Sequence, residues 1–342
     1  MYFPEFSITT SILKNIGSIE ASRAIIDHIP LLPPWEKSLQ REASLRSIYH
    51  SSHFDGNPLS FEELKAFLDG RVQTEPHRSH KEIENLKKAH SLALLDLPVN
   101  EETLKSFHKL LLKGIAPENK TGVYRSTPHF LKNTSLTAPA PDEILAQLRS
   151  FFAWFESPDA KDLPTPIRNA ILYFEIFRIS PFETENKKVA TLITELNSFS
   201  EKFDHRKFVS VESHFDESPS AFFSVIRSTQ NNEGDITRWI EYFLHGLAKE
   251  FESLKTKVIG LTKDNKVRKV AGMEPLNDRQ ERIIEYLNDY QTMQNREFLK
   301  LFPHISEDTI LRDLKDLIKK GLVVKSGSTK SSMYKIKPSA KS

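Results

Sequence analysis

The chain has 342 residues, 38% of them hydrophobic and 27% charged, with a formal net charge of +2. That length allows two or three domains of roughly 150 residues, the apolar share supplies a sizeable core, and so small a net charge excludes a protein built to coat polyanions. Cysteine is absent, which excludes disulfides and thiolate-held metals and fits a reducing compartment. The opening Met1-Tyr2-Phe3-Pro4-Glu5-Phe6 lacks a basic start followed by an apolar run, and no apolar stretch reaches about 18 residues. A cytoplasmic protein with no membrane partner is expected.

Along the N-terminal region the signals are helical. Ser60-Phe61-Glu62-Glu63 is a capping box opening a helix over Leu64 to Leu68, and Asp55-Gly56-Asn57-Pro58 before it has the composition of a turn. His50 with His53 and His77 with His80 mimic metal-ligand spacing, but they are read as lying in polar connecting segments without a nearby carboxylate or thiol, so no metal is expected. Gly122-Val123-Tyr124-Arg125-Ser126-Thr127-Pro128-His129-Phe130 is followed by Ala138-Pro139-Ala140-Pro141 and a helix from about Asp142. Buried helices are then expected over Ala170 to Phe177 and Val189 to Leu196, separated by a tight loop that contains Pro181.

From Lys255 to Lys269 six bases (Lys255, Lys257, Lys263, Lys266, Arg268, Lys269) face one acid, Asp264. With Gly260 and Gly272 this helix-poor stretch reads as a basic linker or a surface helix end, with a boundary near Ala271. Beyond it come helices over Asp278 to Tyr290, around Arg296 to Leu301, and from Ser306, which caps the third helix with Glu307 and Asp308 in its first turn. That helix buries Ile310, Leu311, Leu314, Leu317 and Ile318, and Gly321 stops it. Leu322-Val323-Val324-Lys325 and Met333-Tyr334-Lys335-Ile336 complete a winged helix-turn-helix. Its third helix offers Glu307, Thr309, Arg312, Asp313 and Asp316 to a groove, a mixed set, while six lysines and no acid follow from Lys320 onward. Thr309, Arg312, Lys325 and Lys330 are the nucleic-acid candidates. Read without nucleic acid, the same domain is a protein-docking or dimerisation module, which would make the chain a homodimer.

The central loop carries a resemblance. Ser180-Pro181-Phe182-Glu183-Thr184-Glu185-Asn186-Lys187-Lys188-Val189-Ala190-Thr191 resembles the Fic (Fido) family signature His-Pro-Phe-x-Asp/Glu-Gly-Asn-Gly-Arg-x-x-Arg, matching at Pro181, Phe182 and Asn186. In that family the His is the general base, the acid holds the magnesium of a nucleotide, the Gly-Asn-Gly backbone cradles phosphate and the arginines pair with its oxygens. Here Ser180 replaces the base, Thr184 the acid, Glu185 and Lys187 the glycines, and Lys188 and Thr191 the arginines. A hydroxyl is no base near neutral pH, and general-base catalysis is worth about 100- to 10,000-fold. Thr184 offers a hard cation no charge, and Lys188 retains only a point charge for phosphate.

Two other segments are similar to parts of the same family. Ser51-Ser52-His53-Phe54-Asp55-Gly56 resembles its inhibitory motif Ser/Thr-x-x-x-Glu-Gly/Asn, with Asp55 at the Glu and Thr191 at the arginine that this Glu contacts, so that pair is expected to be missing at both ends. The 122–130 segment resembles the family's Gly-x-Tyr-Arg flap, in which Tyr124, Arg125 and His129 would align a target protein's strand. The resemblance implies a mainly α fold: a Fic-like helical core with a small β-hairpin flap, plus a C-terminal winged helix-turn-helix. The expected division is an N-terminal helical region (1–98), the core (99–252), the basic linker (253–272) and the winged helix domain (273–339). The leading expectation is a catalytically degenerate regulatory or binding module without a cofactor. A divergent transferase moving AMP from ATP with magnesium onto a protein hydroxyl stays open, as does a DNA-binding regulator with a Fic-like sensor core.

Overall fold

The computed structural model describes residues 2–29, 31, 33–71, 77–129, 138–231, 234–270, 276–303, 305–327 and 332–337. The chain forms two compact units, one of residues 1–28 and 40–257, the other of residues 29–39 and 258–342.

The larger unit is helical. Its elements are α1 (Thr10–His28), α2 (Pro33–Phe54) from Gln40 onward, α3 (Phe61–Leu68), α4 (Arg78–Ala93), α5 (Glu101–Leu111), α6 (Ile144–Phe155), α7 (Pro158–Lys161), α8 (Thr165–Ile179), α9 (Asn186–Ser200), α10 (Glu212–Glu217), α11 (Pro219–Asn231) and α12 (Thr237–Val270) as far as Lys257. The capping box at Ser60 forms as the spacing requires: the Glu63 N–H donates to Ser60 Oγ, and the Glu63 carboxylate takes the Ser60 N–H at 2.8 Å. Helix α8 is largely apolar, and Ile167 through Phe177 are all buried, the polar Arg168, Asn169 and Glu175 included, so this helix sits inside the core rather than on its surface. Its Tyr173 packs among Phe215, Phe222, Trp239 and Phe243 with ring centroids 5.3 to 6.3 Å apart, and Trp239 Nε1 donates to the Ala170 carbonyl at 2.7 Å. Helix α9 returns beside α8, burying Val189, Leu192, Ile193 and Leu196. Two rigid, buried helices thus fix both ends of the loop between them.

Two expectations change. Residues 253–270 are helical, as part of α12, so the basic stretch up to Val270 is not helix-poor; lysine and arginine are good helix formers and Gly260 costs only about 1 kcal/mol. His50 and His53 lie on α2 rather than in a connecting segment, and each ring Nδ1 reaches the Asp216 carboxylate at 2.8 and 2.9 Å. Among the described residues no His, Asp and Glu grouping is arranged to hold a metal ion, and no helix is long and apolar enough to cross a membrane.

In the smaller unit, α13 (Asp278–Tyr290), α14 (Phe298–Leu301) and α15 (Glu307–Lys319) follow the expected spans, with Ser306 Oγ accepting the Thr309 N–H. The strands β2 (Val323–Ser326) and β3 (Met333–Ile336) pair antiparallel, Val323 opposite Ile336. A third strand, β1 (Met293–Gln294), pairs with the other edge of β3, giving the order β1-β3-β2. Ile310, Leu314 and Leu317 of α15, fully buried with Ile283, Leu287, Met293 and Phe298, close this core. Each such side chain contributes about 1.5–3 kcal/mol by leaving water.

Candidate functional site

The loop between α8 and α9 is bracketed by two left-handed residues, Ser180 at φ 43° and Glu185 at φ 63°. A side chain costs roughly 1–2 kcal/mol in that region, so its surroundings must impose the shape. Asn186 does part of this: the Phe182 N–H donates to Asn186 Oδ1 at 2.9 Å and Asn186 Nδ2 donates to the Phe182 carbonyl at 2.7 Å. Arg125 does the rest. Buried, it donates to the carbonyls of Ser180 at 2.8 Å, Thr127 at 2.9 Å and Pro139 at 2.6 Å, and its own N–H donates to the Pro181 carbonyl at 2.9 Å. Because every partner is a carbonyl oxygen, the Arg125 guanidinium rivets the loop and cannot reach a target. Burial also pulls its pKa below the usual arginine value.

The charged residues of the loop face one another. Lys188 Nζ lies 2.7 Å from Asp55 Oδ2 and 2.7 Å from Glu185 Oε2, while Lys187 Nζ lies 3.6 Å from Asp55 Oδ1, 3.5 Å from the Ser51 carbonyl and 4.2 Å over the Phe54 ring. Asp55, expected without a partner because Thr191 lacks charge, is paired through the two lysines that precede Thr191. Burial would raise the Asp55 carboxyl, but Lys187 and Lys188 hold it below the ordinary carboxylate range. Burial would equally lower Lys188, but Asp55 and Glu185 hold it above the usual lysine value; for Lys187 burial wins and its pKa is lowered. Two acids and two lysines compensate one another, so Lys188 Nζ is already engaged by two carboxylates.

The remaining motif residues have no free chemistry. Ser180 is fully buried and its Oγ donates to the Phe177 carbonyl at 2.6 Å. Thr184 is exposed and uncharged, and the neighbouring acid, Glu183, takes the Thr127 hydroxyl at 3.1 Å. Ser51 is buried at the end of α2, and Gly56 turns the chain beyond it at φ 88°. Thr191 Oγ1 is buried without a hydrogen-bond partner.

In the flap segment no residue from 122 to 129 lies in a strand, so the expected hairpin is not formed among the described residues, and Phe130 lies outside them. The Ala138 N–H donates to the His129 carbonyl at 3.2 Å. The Tyr124 ring lies 5.7 Å from Phe182, under Lys105 Nζ at 4.4 Å, and burial with the charge of Glu101 raises its phenol.

One residue was not singled out in the sequence. His108 stacks flat on Phe182, ring centroids 4.0 Å apart, and its Nδ1 accepts the Gly122 N–H at 2.8 Å, joining flap to loop. Accepting there puts the proton on Nε2 of the neutral ring, and burial lowers the pKa to about 4. The signal was one histidine on the buried face of α5, among Leu104, Phe107 and Leu111.

In the smaller unit Arg312 and Lys325 are exposed and Thr309 is half-buried beside Ser306; Lys330 lies outside the described residues. Asp313, expected to face a groove, is buried instead, taking Arg279 Nε at 2.7 Å and Asn277 Nδ2 at 3.2 Å. Asp316 takes Gln280 Nε2 at 2.7 Å and pairs with Lys320 at 2.8 Å.

Comparison with known proteins agrees with this architecture. Residues 98–197 match the Fic/DOC family and residues 279–327 the DeoR-like helix-turn-helix domain. The chain is 25% identical over 236 residues to a Nematostella vectensis protein named protein adenylyltransferase Fic, covering 64% of this chain and 54% of that one. It is 23% identical over 277 residues to the Caenorhabditis briggsae protein adenylyltransferase fic-1, covering 79% of this chain and 51% of that one. The chain therefore spans about half the length of the curated relatives it matches. Among solved structures, a Fic family protein from Desulfovibrio desulfuricans aligns over 100% of both chains with a TM-score of 0.68 at 19% identity. A Fic domain containing signaling protein from Bacteroides thetaiotaomicron aligns over 75% of this chain and 98% of its own, with a TM-score of 0.59 at 19% identity. The chain carries a Fic/DOC domain over residues 98–197 and a DeoR-like helix-turn-helix domain over residues 279–327.

Proposed function

We propose that this protein is a catalytically degenerate Fic module with a regulatory or binding role. The observation that carries this is the Asp55–Lys188–Glu185 cluster: both carboxylates lie 2.7 Å from the one motif lysine that could meet a phosphate directly. A nucleotide would have to displace two anions from a nearly buried site before binding, and would then find neither a base at Ser180 nor a metal ligand at Thr184. Incubation of the full chain with labelled ATP, magnesium and a cell extract tests this. No labelled protein is expected. Transfer of AMP that is lost on changing Asn186 or Lys188 would instead support a divergent adenylyltransferase, the activity named for the curated relatives.

A second reading, a DNA-binding regulator, is favoured by a separate observation. With Asp313 turned inward and Asp316 paired, α15 beyond its acidic first turn (Glu307, Asp308) exposes Arg312, Lys315 and Lys319, and the wing exposes Lys325, Lys335 and Lys337. A basic surface of this kind suits phosphate contacts along a duplex. Binding of duplex DNA that weakens steeply with salt supports it, and a flat salt response counts against it.

A further inference from the structure

The larger unit contains a cavity of about 50 Å³ bordered by α2, α8, α9, α10 and α12. At about 10–15 Å³ per water, it has room for a few waters or one guanidinium-sized group. Three carboxylates line it, Glu195, Asp204 and Glu212. Glu195 is balanced by His90, whose Nδ1 lies 2.6 Å away. The other two have only neutral donors: Asp204 takes the N–H groups of Phe208 and Val209 at 3.0 Å, and Glu212 takes the hydroxyls of Ser47 at 3.2 Å and Ser210 at 2.9 Å. The cations whose charge reaches Glu212 are held by other acids: Arg46 is forked onto Glu250 at 2.6 and 3.0 Å, His90 meets Glu195 and Lys187 meets Asp55. Among the described residues no Lys or Arg lines the cavity.

An independent feature points to an occupant. Tyr173 and Thr191 also belong to the lining; both are buried, at 0% and 4% exposure, and their hydroxyls, near enough to each other for Thr191 to lower the Tyr173 phenol, make no hydrogen bond of good geometry. Buried polar atoms are almost always satisfied by protein, water or ligand. Acid-rich walls, two unspent hydroxyls and the lack of a metal-binding arrangement among the described residues together describe a receptor for N–H donors carrying positive charge.

We propose that this chamber binds a small organic cation, a guanidinium or short alkylammonium group, whose N–H donors meet the Glu212 and Asp204 carboxylates and the Tyr173 and Thr191 oxygens. Leu94, Glu195 and Phe199, half-buried, form the side of the chamber nearest solvent. Crowding of the acids supports the choice of charge: burial pushes the Asp204 carboxyl up to about 7, with further repulsion from Glu195 and Asp27, and a bound cation relieves that cost.

The test is thermal unfolding of the full chain at pH 7.5 in methylammonium chloride, sodium chloride and tetramethylammonium chloride at matched ionic strength. Methylammonium alone is expected to raise the midpoint saturably, by about 2–4 °C. Glu212→Gln and Tyr173→Phe, both close in shape to the native residues, are expected to reduce that rise to the sodium level. Should Glu212→Gln not fold, Tyr173→Phe carries the comparison. Equal midpoints in all three salts, or a methylammonium effect undiminished in the folded variants, would overturn the proposal.

Discussion

Asp55 Oδ2 and Lys188 Nζ stand 2.7 Å apart, joining the turn after α2 to the first turn of α9 across the degenerate motif. Replacing Asp55 by Asn leaves Lys188 with Glu185 alone and takes from Lys187 its ion pair. With Asp55 about a third exposed and Lys188 nearly buried, a loss of about 1–2 kcal/mol is expected in denaturant unfolding. Because the Asp55 carboxyl is held below its ordinary value, its contribution is complete above about pH 4 and fades as pH falls through the lowered pKa. Wild type and variant should therefore converge in acid.

His108 makes a complementary prediction. His108→Phe keeps an aromatic ring against Phe182 but leaves the Gly122 N–H without its acceptor, at a cost of about 1–3 kcal/mol. The native ring is held neutral down to about 4, so its contribution is full above about pH 6.5 and is lost as pH falls towards 4. Unfolding midpoints measured from pH 7.5 to 4.5 should show the variant losing less stability than the wild type.

Asp204 titrates with the opposite consequence. Its carboxyl is raised to about 7 by burial and by Glu195 and Asp27, so its favourable contribution is present in full below about pH 4 and is lost as pH rises through 7. Asp204→Asn disturbs the bonds to Phe208 and Val209 at every pH, but it should remove this slope. The gap between wild type and variant is expected to narrow between pH 5.5 and 8.5.

For the wing, fluorescence anisotropy with duplex DNA between 50 and 200 mM salt gives a direct readout. If Lys325 and Lys335 each neutralise a phosphate, Lys325→Ala with Lys335→Ala reduces the slope of log K against log salt by about 2 and weakens all sequences alike. An unchanged slope removes these lysines from the interface.

How much was legible follows from where each signal resides. Helices α8 and α9 could be read because their burial is written in continuous apolar runs, and α15 because Ile310, Leu314 and Leu317 repeat at helical spacing. Pro181, Phe182 and Asn186 marked the loop, and the bonds between Phe182 and Asn186 give this pair a structural role in shaping it. Ion pairing between residues far apart in the chain has no local spacing, so the lysine partners of Asp55 were hidden. The inward turn of Asp313 was hidden for the same reason, since it depends on Arg279 and Asn277 of a different element. Strand β1, at two residues, is too short for an alternating pattern. The basic residues up to Val270 suggested a linker because charge density was weighed above the helix propensity of lysine and arginine.

Calorimetric titration of the full chain with ATP, with and without magnesium, bears most directly on the degenerate site. If Asp55 and Glu185 occupy the position of the phosphate and Thr184 offers no metal ligand, magnesium adds no affinity. The paired change Ser180→His with Thr184→Asp then restores at most weak magnesium-dependent binding while Asp55 remains. Magnesium-dependent binding by the unaltered chain, lost on changing Lys188 or Asn186, would contradict a degenerate site and return the protein to the nucleotide-using members of its family.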